Sequence, residues 1–376
     1  MIQTKEFYES LDQNGIDFYT GVPDSLLKDI CSYISDNATV EKHVISANEG
    51  GAVALATGYY LATSKLPLVY MQNSGFGNTI NPLLSLADPK VYSIPMLLLI
   101  GWRGEPGVKD EPQHVKQGEV SETLLKVLDI PHVIISNQTL DIDKIIKDSV
   151  EHAKTNNTPF AILVKKGTFE PYSLKNKLKT NFDLTREQAI IKSTELLYDS
   201  DIVVATTGKT SRELFEFRSR NNQGHERDFL TVGGMGHANQ IALGIALAKP
   251  EKTVYCFDGD GAVLMHTGSL GIIGDLKIEN FKHIIFNNGA HDSVGGQPTI
   301  GFDIDFGKIA KSFNYTKVFR IEKINEFNEI FMNFQKEQGP CLLEIIVNKG
   351  ARKNLGRPTV SPKENKINFM KRIQQK

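Results

Sequence analysis

Twelve short apolar runs alternate with helix-patterned segments along 376 residues, which predicts an α/β chain of two doubly wound parallel-sheet domains. Three observations carry this expectation. The apolar runs, such as "PMLLLIGW" and "DIVVATTG", are continuous, as in strands covered on both faces. The rhythm occurs twice, and each half closes on a similar strand, "TPFAILVKKG" and "GPCLLEIIVNKG". A dozen strands also exceeds the usual size of one sheet, so two sheets of about six are expected.

The elements follow in order. Strands are expected at "IDFYTG", "VEKHVISA", "PLVYMQN", "PMLLLIGW", "HVIIS" and "PFAILVKKG", with helices at "DSLLKDICSYISD", "EGGAVALATGYYLATSK" and "DIDKIIKDSVEHAKTNN". The second half offers strands at "DIVVATTG", "DFLTVGG", "TVYCFDGD", "HIIFNNG", "TKVFRI" and "CLLEIIVNKG". Its helices are "REQAIIKSTELLYD", "HANQIALGIALAKP" and "INEFNEIFMNFQKEQ". This gives domains at 1–170 and 185–376, joined by a polar linker at 171–184, with no middle domain. The tail after Arg352 is basic and weakly patterned, and no role is assigned to it.

Composition narrows the function. With 40% hydrophobic and 23% charged residues the chain is of ordinary globular make-up. A net charge of −1 and the absence of a long lysine or arginine run argue against nucleic acid or a membrane surface as partner. "MIQTKEFYESLDQNG" lacks the basic-then-apolar layout of an export signal, so a cytoplasmic location is expected. Cys31, Cys256 and Cys341 show neither a disulfide framework nor zinc spacing and read as reduced core residues. A dinucleotide-binding dehydrogenase is disfavoured, because "GGMGHANQ" departs from the G-x-G-x-x-G spacing.

In such sheets ligands bind beyond the carboxyl ends of strands. Two of those loops stand out: "GDGA", with Asp260 between glycines, and "NNGAHDS", with Asn288. A carboxylate and an amide oxygen are hard ligands suited to Mg²⁺, which ordinarily completes its octahedron with phosphate oxygens. Glycines around Asp260 let backbone N–H groups approach a phosphate, and the following helix N-terminus favours the anion. Either loop alone reads as a turn. Together, with 25 residues between them (262–286) and each following a strand, they point to a metal-diphosphate clamp.

This GDG…NN pattern resembles the motif of the thiamine diphosphate enzymes. The resemblance implies a pyrimidine-binding domain at 1–170, a diphosphate-binding domain at 185–376, and thiamine diphosphate with Mg²⁺ as cofactors. It implies Mg²⁺ held by Asp260, Asn288 and the Ala290 carbonyl. In "VGGMGHA", Met235 would be the apolar wedge beneath the thiazolium, with Gly234 and Gly236 lining the cofactor. Gly261, Ala262 and, in "TTGKTS", Thr207 and Gly208 would contact it too. In the first half "SANEGGAVALATGYYLAT" is similar to the family's pyrimidine-domain helix, which makes Glu49 the carboxyl group that activates the aminopyrimidine. Such a group needs a dry site, where desolvation raises its pKa. "QNSGFGN" resembles the glycine-rich loop of the same domain, with Ser74 and Gly75 near the cofactor and Asn73 near the substrate. The family places its cofactor between domains, commonly of different subunits, so a homodimer or higher homo-oligomer is implied.

Within the family, "TGVPDSLLKDI", "GWRGEPGVKDEPQH", "TTGKTSRELFEF" and "HDSVGGQPT" are similar to the phosphonopyruvate decarboxylases and the related sulfopyruvate decarboxylases. The fused two-domain chain favours the phosphonopyruvate branch. Arg103, with a planar fork, and Lys109, a point charge, are then the candidates for the phosphonate. Asp110, Glu111 and His114 add titratable groups to the same loop. His114 is the candidate proton donor, because imidazole titrates near neutrality, and His291 is the alternative. His237 and His266 read as structural or cofactor-lining. Asp24 and Ser25 match a substrate-contacting position and fit a helix N-cap equally well.

Overall fold

The computed structural model describes residues 1–374. All twelve expected strands form, in two six-stranded parallel sheets. The first holds β1 (Tyr19–Gly21), β2 (His43–Ile45), β3 (Leu68–Gln72), β4 (Leu97–Gly101), β5 (His132–Ile135) and β6 (Phe160–Val164), ordered β2-β1-β3-β4-β6-β5. The second holds β7 (Ile202–Ala205), β8 (Asp228–Leu230), β9 (Val254–Gly259), β10 (Phe281–Asn287), β11 (Lys317–Ile321) and β12 (Cys341–Ile346), ordered β11-β12-β10-β9-β7-β8.

The continuous apolar runs are explained by burial on both faces. On β3, Leu68 and Tyr70 enter one core with Leu97 and Leu99. Val69 and Met71 enter the opposite core with Leu98 and Ile100. On β9, Tyr255 and Phe257 face one core and Val254 and Cys256 the other. Each such side chain contributes about 1.5–3 kcal/mol by leaving water, so neither face tolerates a polar substitution.

The chain divides into two compact units, one of Met1–Lys177 with Val294–Gln297, the other of Leu178–Ser293 with the chain from Pro298 onward. In each sheet the strand order reverses once near the middle, between β1 and β3 and between β7 and β9. The loops at the carboxyl ends of these strands open at a crevice, where ligands of doubly wound sheets bind. Val22–Ser25 and Asn73–Asn78 occupy it in the first unit, and Thr206–Lys209 and Asp260 in the second.

Both terminal segments, where the sequence pattern indicates no element, contain helices. The N-terminal stretch is a helix, Thr4–Gln13, that buries Phe7 and Leu11. The tail is ordered as well: Pro362–Gln374 is a helix that buries Phe369 and Ile373 in the core beside Ile202 and Phe281. Asn365 pins this helix to β8, accepting from the Leu230 N–H (3.2 Å) and donating to the Asp228 carbonyl (2.9 Å). Its other apolar residues, Ile367 and Met370, are exposed, which hid the pattern. No helix among the described residues is long and apolar enough to cross a membrane.

Candidate active site

In the first unit the strand-end loops gather around two carboxyl groups. Asn48 caps the helix Glu49–Thr63 by accepting from the Gly51 N–H at 2.8 Å, which fixes Glu49 as its first residue. Ala52, Val53 and Ala56 bury the same face one and two turns on, so Glu49 is carried inward. It is 5% exposed, and burial raises its pKa against the opposing hydrogen bond from Asn78. Asn78 Nδ2 donates to Glu49 Oε2 at 2.7 Å. Gly75 makes the slot: a Cβ there would fall 2.1 Å from Glu49 Oε1. The glycine expected to touch the cofactor thus clears space for the carboxyl group. Asn78, quoted as part of that loop but given no role, is its hydrogen-bond partner.

Arg103 follows β4 and is the centre of the second cluster. Its Nε donates to Asp110 Oδ2 at 2.7 Å, Nη2 donates to Asp110 Oδ1, and Nη1 donates to Ser25 Oγ at 2.7 Å. This fork holds the Asp110 carboxyl well below its ordinary range. The Arg103 fork is therefore oriented by Asp110 and Ser25, and these three bonds use three of its five N–H groups. Lys109 is exposed. Asn73, the candidate for a substrate contact, is held by neighbouring groups. Its amide donates to the Arg103 carbonyl (2.8 Å) and to Ser121 Oγ (2.9 Å) and accepts from the Arg103 N–H (3.2 Å). Ser74 is exposed and accepts from Gln72 Nε2. Asp24 is fully buried, and its Oδ2 accepts from the N–H groups of Leu26 (2.8 Å) and Leu27 (3.2 Å), in the turn just before the helix Lys28–Asn37, whose N-cap Leu27 has no side-chain cap bond. His114 lies in the first turn of the helix Pro112–Val127, its carbonyl close against Gly104.

In the second unit the GDG and NN loops meet. Asp260 is 2% exposed and receives a hydrogen bond from Thr299 Oγ1. Burial pushes its pKa up to about 6, and only hydrogen bonds, with no basic side chain, work against it. Asn288 is 3% exposed. Its Nδ2 donates to Asp292 Oδ2 (2.8 Å), and its Oδ1 accepts from the Ala290 N–H (3.1 Å). The Ala290 carbonyl accepts from the Asp292 N–H at 2.9 Å. Asn287, the other half of the pair, is structural: it donates to the Gly301 carbonyl (2.6 Å) and to Glu344 Oε1 (2.8 Å).

Around this pair Gly261 is in a tight place, since a Cβ there would lie 3.2 Å from His291 Cε1 and 3.5 Å from Met235 Cε. Met235 and His291 therefore both reach the GDG turn. Burial lowers the His291 pKa to about 4. Gly236 has φ +86° and faces His266 and Ala262, so only glycine fits. The His237 and His266 rings stack at 4.5 Å. Gly208, with φ +99°, begins the helix Lys209–Arg220 after Thr207, next to Ser293.

The family model described as "Thiamine pyrophosphate enzyme, N-terminal TPP binding domain" matches residues 4–125. The corresponding C-terminal TPP binding domain matches 206–345. The chain is 32% identical to a phosphonopyruvate decarboxylase of Streptomyces viridochromogenes, over 97% of this chain and 93% of that one. It is also 32% identical to one of Streptomyces hygroscopicus, over 97% and 92%. A sulfopyruvate decarboxylase of Methanosarcina acetivorans is 28% identical over 95% and 94%. The chain belongs to the thiamine pyrophosphate enzyme family.

The residues of this thiamine pyrophosphate enzyme fit the family's cofactor and metal. A buried carboxylate that no basic side chain neutralises, beside an amide oxygen, is a hard donor set that a divalent cation would complete. The glycines at 234, 236 and 261 keep the adjoining surface free of side chains. Three partners of the GDG and NN loops were missed in the sequence: Thr299, which donates to Asp260, Asp292, which accepts from Asn288, and Arg186, which donates to Asp292. Thr299 and Asp292 both lie within "HDSVGGQPT", but nothing local marks them as partners of Asp260 and Asn288. A further buried group, Cys256, Asp258 and His283, has its ligand atoms within 4.8 Å of one another. Sequence spacing does not show it, because strand pairing sets His283 opposite Cys256. It reads as a hydrogen-bonded core cluster, with His283 Nδ1 against the Tyr315 hydroxyl (3.2 Å) and Asp258 Oδ1 accepting from the Gly259 N–H (3.0 Å). A cleft of about 420 Å³ lined by His225, Asn365 and Lys371 contains none of the residues expected at the site.

Proposed function

We propose that this enzyme is a carboxy-lyase that converts 3-phosphonopyruvate to phosphonoacetaldehyde and CO₂ with thiamine diphosphate and Mg²⁺, a step toward 2-aminoethylphosphonate-type compounds. The observation that carries the reading is the buried Asp260 carboxyl, bonded by Thr299 and without a basic partner, at the end of β9 beside the NN loop that ends the paired strand β10. The substrate is supported by the near full-length likeness to two phosphonopyruvate decarboxylases. When bound, thiamine diphosphate supplies a nucleophilic thiazolium carbon and a sink for the electrons of the breaking carboxylate bond.

The chain's own residues do the rest. Asp260, Asn288 Oδ1 and the Ala290 carbonyl would hold Mg²⁺. Glu49, kept dry and with a raised pKa, would share a proton with the aminopyrimidine ring nitrogen. Met235 would support the cofactor from below. Arg103, preset by Asp110 and Ser25, and the exposed Lys109 are the cations for the phosphonate. His114 is assigned the proton that replaces CO₂. His291 is the weaker donor, being neutral near pH 7 with its pKa at about 4. A homo-oligomer is the expected assembly, to be checked by light scattering.

A second reading, sulfopyruvate as substrate, is favoured by the relative of that name. The two acids share a pyruvyl group and an anionic head. Comparing kcat/KM for phosphonopyruvate, sulfopyruvate and pyruvate separates them. The highest value is expected for phosphonopyruvate, and a higher one for sulfopyruvate would reassign the substrate.

A further inference from the structure

Behind the metal loops lies a buried charge network that the reaction itself does not use. Arg186 is the first residue of the helix Arg186–Glu195, just after the Thr185 cap, and its side chain is 6% exposed. It forks onto Glu213 of the helix Lys209–Arg220, Nε to Oε2 at 2.8 Å and Nη2 to Oε1 at 3.0 Å. Its remaining nitrogen, Nη1, donates to Asp292 Oδ2 at 3.0 Å. Burial opposes the charge on Arg186, but Glu213 and Asp292 outweigh it and hold the guanidinium above its ordinary pKa.

Asp292 Oδ2 thus receives three donors: Arg186 Nη1, the Gly350 N–H at 2.9 Å and Asn288 Nδ2 at 2.8 Å. An ionised carboxylate only accepts, so the end of the Asn288 amide that faces it must be the NH₂. On the other side the Ala290 N–H only donates, so the end facing it must be the oxygen. The two neighbours therefore decide the amide orientation without ambiguity. One lone pair of Asn288 Oδ1 is used by Ala290, and the other is left for a cation. Without Asp292 the Ala290 N–H alone would select the oxygen, so the amide would be held from one side instead of two and would present its NH₂ to the metal more often.

We infer that Asp292, anchored by Arg186 and Glu213, is a positioning residue that sets the Asn288 amide with its oxygen toward the divalent cation. This deepens the metal-diphosphate reading proposed above and rests on it. Outer partners of this kind change metal affinity by roughly 10- to 100-fold when removed.

The test measures Mn²⁺ affinity by electron paramagnetic resonance at saturating thiamine diphosphate, with melting of the cofactor-free protein as a check on folding. Asp292→Ala should weaken Mn²⁺ binding by roughly 10- to 100-fold, and Asp292→Asn, which keeps an acceptor oxygen, should recover most of it. In Asn288→Asp both ends of the side chain are oxygens, so orientation no longer matters. Adding Asp292→Ala in that background should not weaken Mn²⁺ binding further. If Asp292→Ala does not fold, Arg186→Lys, which keeps the charge and loses the fork, should weaken binding in the same direction. An unchanged Mn²⁺ affinity in Asp292→Ala, or an equal loss in the Asn288→Asp background, overturns the inference alone. A wild-type protein that binds no Mn²⁺ with thiamine diphosphate overturns it together with the metal-diphosphate reading.

Discussion

Removing the Asp260 carboxyl should change how the stability of the cofactor-free protein depends on pH. Burial raises this group from its ordinary 3.8 to about 6 in the folded state. Between those values the folded protein keeps a proton that the unfolded chain has released, so stability falls as pH rises through the window. The raised pKa corresponds to about 3 kcal/mol, fully lost by about pH 7. Urea unfolding followed by circular dichroism, with EDTA present, is to be run from pH 4 to 7.5 on wild type and Asp260→Ser. Other titrating groups act equally in both proteins and cancel in the difference. The substitution adds a constant offset, but the pH-dependent part should grow in favour of Asp260→Ser by about 3 kcal/mol. Mg²⁺ with thiamine diphosphate should flatten the wild-type curve by neutralising the carboxylate. Parallel curves for the two proteins would refute the idea that Asp260 is an uncompensated buried acid.

Other outcomes follow from the same geometry. Glu49→Gln should lower decarboxylation by roughly 10²- to 10⁴-fold, the usual range for a proton-transfer group, while calorimetry still detects thiamine diphosphate binding. Gly75→Ala should mimic it, because the new methyl falls 2.1 Å from Glu49 Oε1 and expels the carboxyl group; the thermal midpoint should move little, since that side chain can swing aside. Asn365→Ala should lower stability by roughly 1–3 kcal/mol by stripping β8 of two buried hydrogen bonds, read by scanning calorimetry, with activity per folded molecule unchanged.

The strands were legible because burial on both faces writes itself as apolar runs: β4 is apolar throughout and β3 and β9 until their ends, while β10 also buries Lys282 and His283. The C-terminal helix was not, because it docks through Phe369, Ile373 and Asn365 while its other apolar residues, Ile367 and Met370, are exposed and blur the periodicity. At the site, Glu49, Asp260 and Asn288 stood out because each follows a strand in a distinctive local pattern. Their partners came from elsewhere: Asn78 is 29 residues from Glu49, and Thr299 is 39 from Asp260. Such pairings depend on tertiary approach, which a local pattern does not encode. Arg103 combines both cases: Asp110, seven residues on, lies in its own loop, while Ser25, 78 residues back, reaches it only through the fold.

The central claim is that the GDG and NN loops hold a magnesium diphosphate whose thiamine end drives loss of CO₂ from phosphonopyruvate. The most direct measurement is phosphonoacetaldehyde formation by the purified protein, with and without thiamine diphosphate and Mg²⁺. Aldehyde in equal amount to CO₂, only when both are present, is the expected result. Turnover that persists after both have been stripped away, or none when both are supplied, would contradict the account.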